Sequence, residues 1–128
     1  MKTMITVIEE MLAQRNDVIF HRYGPENGSY EGLTVLRSNN PSDEDLEYQD
    51  WIYQNYLPEE FDKMILDITC KQDGAVFLKS TLYYSHNGTM IRSTTKEWLD
   101  LEEDDVCRAI ELMLSKRVRP DGDLFIYQ

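Results

Sequence analysis

Residues 64–94 limit the possible folds of this chain more than any other stretch. Met64, Leu66, Ile68 and Cys70 alternate with Ile65, Asp67, Thr69 and Lys71, the two-residue period of a strand with one buried face. Asp73-Gly74 follows, a dipeptide that supplies the positive φ angles of a tight hairpin turn. Val76, Leu78, Ser80, Leu82 and Tyr84 alternate again up to Asn87-Gly88, a second hairpin signal, and Thr89 to Thr94 is a shorter, more polar strand. Three antiparallel strands joined by two tight turns must bury one face, and one meander cannot do that alone. The rest of the chain has to supply the cover.

Helical periodicity supplies it at both ends. Met1, Met4, Ile5, Ile8, Met11 and Leu12 recur on one face of a helix ending near Asn16. Val106, Ala109, Ile110 and Met113 mark the core face of a helix from about Glu102 to Lys116, acidic at its start and with Lys116 and Arg117 at its end, as the helix dipole prefers. Asp17 to Tyr23 and Leu33 to Arg37 read as strands joined by a long polar loop that begins at Gly24-Pro25 and ends at Gly32. Ser42 with Asp45 forms a capping box that opens a middle helix, with Tyr48, Ile52, Tyr53, Tyr56 and Leu57 on one face and Pro58 as its stop. Thr94-x-x-Glu97 offers another capping box and predicts a short helical turn around Trp98. Arg119-Pro120-Asp121-Gly122 is a turn, and Leu124 to Tyr127 a last strand. The expected fold is a single α+β domain over residues 1–128. Its order is α-ββ-α-βββ-α-β, with about three helices packed on one mostly antiparallel sheet.

The formal net charge of −11 is not spread evenly. Residues 38–62 hold eight acids and no lysine or arginine, and residues 100–128 hold eight acids against four bases. Residues 63–99 reverse the balance, with five bases and three acids. Phosphate contacts need lysine and arginine, so direct binding of nucleic acid or an anionic membrane is disfavoured, and basic protein partners are favoured. The first acidic block also carries large aromatics, the residue class that anchors interfaces. The expected partner-binding residues are Asp43, Glu44, Asp45, Glu47, Asp50, Trp51, Tyr53, Glu59 and Glu60, together with Glu102, Glu103 and Asp104 at the start of the last helix.

Complete catalytic motifs are not found. Gly74 to Ser80 has the length of a phosphate loop, but Leu78 stands where the second glycine belongs and the segment reads as a strand. Asp67-x-x-x-Lys71 has the wrong spacing for a nuclease pair on one strand face. Asp100 to Asp105 lacks the glycine turn of a calcium loop. The two histidines, His21 and His86, have no neighbours at metal-ligand spacing, so no metal or other cofactor is expected. A nucleophile–base pair of Cys107 with either histidine is the one catalytic arrangement left for the fold to build. Cys70 and Cys107 have no CxxC spacing and fall on apolar faces, which fits reduced, inert thiols. Asn27-Gly28-Ser29 and Asn87-Gly88-Thr89 match the glycosylation pattern but read as turns.

The Met1 start shows no basic segment followed by an apolar run, and no stretch approaches a membrane span, so a cytoplasmic protein is expected. The profile predicts a non-enzymatic binding protein: an acidic inhibitor of the immunity or antitoxin type that neutralises a basic nucleic-acid-handling partner such as a nuclease toxin. The alternatives are a phage-type anti-defence mimic of nucleic acid and a structural or adaptor subunit, including a homo-oligomer.

Overall fold

The computed structural model of the chain describes residues 3–26, 30–38, 41, 43, 62–71, 74–86, 89–100, 102–118 and 124–126. Helix α1 spans Met4–Ala13, and the Thr3 side chain caps it by accepting from the Thr6 amide at 3.4 Å. Ile5, Ile8 and Leu12 are fully buried along one stripe of it. The helix ends three residues earlier than Asn16. The chain then turns through Arg15 and Asp17, whose side chains form a two-point pair: Arg15 Nε donates to Asp17 Oδ1 and Nη2 to Oδ2, both at 2.9 Å.

Five strands follow in meander order: β1 (Val18–Glu26), β2 (Tyr30–Arg37), β3 (Asp62–Lys71), β4 (Val76–His86) and β5 (Thr89–Leu99). Every neighbouring pair is antiparallel. The expected three-strand meander is therefore the larger part of a five-stranded sheet, with the β1–β2 hairpin added at β3. The turn after β3 closes as its sequence predicts, with Gly74 at φ 93° and its amide donating to Lys71 O at 3.0 Å. His86 pairs with Thr89, so Asn87-Gly88 is the whole connection between β4 and β5.

Four expectations need correction. The long loop from Gly24 to Gly32 is mostly strand: Gly24 takes φ 75°, the register shifts between Tyr23 and Glu26, and pairing resumes at Glu26↔Tyr30. A bulge absorbs the Gly-Pro pair because β1 lies at the edge, where a proline removes no ladder bond. The helical turn around Trp98 does not form; β5 pairs with β4 without interruption from Thr89 to Leu99. A capping box is a local signal worth about 1 kcal/mol, and here it loses to Leu99 burying on one face while Trp98 packs on Phe77 across the other.

The single sheet is the third correction. Lys116 and Arg117 do not end the last helix but form β6 (Lys116–Val118), which pairs with β7 (Leu124–Ile126) in a separate two-stranded sheet. The fourth is the helix count. The described residues hold two helices, α1 and α2 (Glu103–Leu114), one before the large sheet and one after it, and not three in the expected order. The expected middle helix, opened by Ser42 and stopped by Pro58, lies outside the described residues apart from Asp43.

Both helices cover the same face of the large sheet. Leu33, Val35, Met64, Leu66, Ile68, Leu78 and Leu82 join Ile5, Ile8, Leu12, Val106, Ile110, Met113 and Leu114 in one core. Each such side chain contributes about 1.5–3 kcal/mol by leaving water. Arg37 also lies on this face and is 2% exposed. Its Nη1 donates to Leu114 O at 2.9 Å and to Lys116 O at 2.7 Å. A guanidinium from β2 thus closes the carbonyl end of α2, where intrahelical donors run out, and holds the start of β6.

Candidate binding surfaces

Strand alternation divides the remaining side chains between two surfaces. Outside the helix layer stand Glu102, Glu103, Asp104, Asp105, Arg108, Glu111 and Leu112, all exposed. Glu102 is the α2 N-cap, although its side chain makes no capping bond, and Glu103, Asp104 and Asp105 fill the first turn. The helix dipole favours negative charge there, so these acids stabilise α2 while facing solvent. The only contact among them and Arg108 that reaches ion-pair distance is Arg108–Asp105, at 3.8 Å. Leu112 is 55% exposed and sits one turn beyond Arg108 on the same face.

The opposite face of the sheet carries the other sign. Lys63, Lys71, Lys79 and Lys96 alternate onto it, against Asp67. Burial pushes the Asp67 carboxyl above its ordinary value, and the Lys79 charge and a hydrogen bond from Thr34 only partly offset that. This face is also aromatic. Tyr23 lies over Gly32, its hydroxyl 3.1 Å from Thr69 Oγ1, and Phe77 and Trp98 pack as tilted rings with centroids 4.6 Å apart. Lys71 Nζ lies 4.5 Å from the Trp98 centroid, a cation–π contact. The mild basic excess of residues 63–99 is thus a one-sided feature of the fold.

The expected partner-binding residues are only partly placed. Glu102, Glu103 and Asp104 are exposed together on α2. Asp43 is 81% exposed, with Oδ1 3.2 Å from Nε2 of His21. His21 alternates with Phe20 and Arg22, and Arg22 reaches Glu9 of α1 at 2.9 Å, so His21 and Asp43 lie on the lysine-bearing side of the sheet. Asp43, the one described side chain of the first acidic block, therefore sits on the opposite face from the acids of α2. Glu44, Asp45, Glu47, Asp50, Trp51, Tyr53, Glu59 and Glu60 lie outside the described residues, in the 38–61 connection between β2 and β3. Trp98 and Lys96 were missed, because the capping-box pattern masked the alternation of Lys96 and Trp98 against Glu97 and Leu99.

The Cys107–His21 pair that the sequence left open is not built: Cys107 is on α2 and His21 faces away from the helices. Neither thiol is activated. Burial pushes Cys70 up to about 11, and burial followed by the charges of Glu103, Glu111 and Asp104 pushes Cys107 upward too. Among the described residues no three His, Cys, Asp or Glu side chains gather as a metal site requires, and no helix is long and apolar enough to cross a membrane.

Comparison of the chain with protein-family models, with curated proteins and with solved structures finds no match.

Proposed function

We propose that this domain acts by binding, as an acidic inhibitor of the immunity type that neutralises a basic, nucleic-acid-handling protein in the cytoplasm. The supporting observation is the outer surface of α2. Four consecutive acids, Glu102 to Asp105, and then Glu111 are exposed on an element whose other side is fixed in the core. A rigid helix carries its charges at a fixed spacing, so they can occupy positions where phosphates would meet a basic cleft. Leu112, 55% exposed beside Glu111, adds apolar area at the far end of the same surface.

The test starts with capture of the partner by the tagged protein from its native lysate. The association rate is then measured against salt for wild type and for a Glu102→Lys, Glu103→Lys, Asp104→Lys variant. The expected result is a rate falling by at least about tenfold between low and moderate salt, and a variant that is slow at every salt concentration. Association indifferent to salt and to the charge reversal would instead indicate an apolar subunit contact, and the inhibitor proposal would fail.

A further inference from the structure

The two edges of the large sheet are built differently. At β1 the edge is broken by the Gly24-Pro25 bulge, which bends the strand and removes a backbone donor. At β5 the edge runs eleven residues with no glycine or proline and no register shift. Among the described residues nothing pairs with its outer side, and Thr94, Lys96, Glu97 and Trp98 are exposed along it. Such an edge is a template for one more strand.

Its side chains specify which strand. On the face away from the helices, one row across the sheet reads Thr34, Asp67, Lys79, Lys96. Lys79 faces Asp67 on one side and Lys96 on the other. Two lysines directly opposite each other repel, and the Lys96 side chain makes no hydrogen bond or ion pair among the described residues. The row lacks an acid at its outer end. The neighbouring row reads Gly32, Thr69, Phe77, Trp98 and ends in an indole that is 57% exposed, backed by Phe77 and Lys71. It ends on an apolar surface.

We infer that the β5 edge takes up an extended segment of another protein as a sixth strand. That segment carries an aspartate or glutamate opposite Lys96 and, two residues away, an aliphatic or aromatic side chain opposite Trp98. Main-chain bonds supply affinity that does not depend on sequence, and the two side chains supply selectivity. The spacing of two follows from Lys96 and Trp98 lying on the same face of β5. A second copy of this chain fits less well, because β5 against β5 sets two lysine-bearing edges side by side. The surface is separate from the acids of α2, so one domain presents an acidic face to a basic partner and a basic edge to an acidic segment.

Short random peptides displayed on phage and selected on the immobilised protein test this directly. Enrichment of Asp or Glu two positions from an apolar residue is expected. The best such peptide should bind about tenfold more weakly to Lys96→Glu, with Lys96→Gln intermediate. It should also slow amide exchange at residues 94–98. Selection on Lys96→Glu should turn toward Lys or Arg in place of the acid. Charge reversal at Glu102, Glu103 and Asp104 should leave peptide binding unchanged, which separates this surface from the inhibitor surface. No enrichment, enrichment without an acid, indifference to both Lys96 variants, displacement of the peptide by single-stranded oligothymidylate, or a β5-mediated dimer in sedimentation would each overturn the inference.

Discussion

Arg37 is the most informative single position for testing the fold. It is 2% exposed, and its Nη1 serves two carbonyls, Leu114 O and Lys116 O, at the junction of α2 and β6. Hydrogen bonds from a charged donor contribute about 1.5–3 kcal/mol each. Removing the guanidinium leaves both carbonyls without that donor, but it also ends the cost of burying a charge, which offsets part of the loss. The expected cost is about 3 kcal/mol for Arg37→Met, which fills the volume, and about 5 kcal/mol for Arg37→Ala, which adds a cavity. Arg37→Lys, able to reach one carbonyl, should cost about 2 kcal/mol. Against a typical domain stability of about 5–15 kcal/mol these are large losses. Urea unfolding followed by far-ultraviolet circular dichroism measures them, with the order Lys, Met, Ala and an unchanged m-value. Amide exchange at residues 116–118 should rise in step. A methionine variant within about 0.5 kcal/mol of wild type would refute the reasoning, since it would mean the two carbonyls do not depend on Arg37.

Three further outcomes are expected. Gly32→Ala puts a Cβ into the Tyr23 ring and against Ile68 O; because one obstacle is backbone, the loss in thermal or urea unfolding should reach the upper end of ~1–3 kcal/mol, and Tyr23→Leu should not fully restore it. Burial raises the Asp17 carboxyl, but its hydrogen bond and charge contacts with Arg15, and the charge of Arg37, outweigh that and leave it below its ordinary value of 3.8. The stability it contributes is therefore fully present above pH 3.8 and lost as pH falls below it, so Asp17→Asn should flatten the acid limb of the unfolding curve. Iodoacetamide at mildly alkaline pH should label half-buried Cys107 before Cys70, whose thiol is buried and pushed up to about 11; mass spectrometry showing Cys70 labelled first in the native protein would contradict the packing.

The parts of the fold that could be read from sequence are those where local preference and tertiary packing agree. In β3 and β4 the alternation, the Asp73-Gly74 and Asn87-Gly88 turns and the burial pattern all favour the same pairing, and the meander is where it was expected. In α1 and α2 the apolar period and the buried stripe coincide. Expectation failed where a local signal was overruled by a distant partner. The Thr94–Glu97 capping box gave way to pairing with a strand more than ten residues earlier. Lys116 and Arg117 suit a helix end, but Arg37, far upstream, already serves the Leu114 carbonyl and the chain departs into β6. Arg37 itself read as the polar end of a strand, because nothing near it in sequence announces that its partners lie beyond residue 113. The charge blocks were legible as composition. That Asp43 and the acids of α2 lie on opposite faces was not, because it depends on which side of the sheet the helices cover.

The bulge at Gly24-Pro25 has a consequence for assembly. A sheet with two open edges can add neighbours without limit, and identical copies stacked that way make a filament. Here the β1 edge is interrupted between Tyr23 and Glu26, and among the described residues nothing pairs with the outer side of β5. At β1 only the stretch Val18–Tyr23 is regular before the register shifts, so a second copy could not pair there along the full length of β5. The bulge therefore shortens the length over which copies could stack edge to edge through β5.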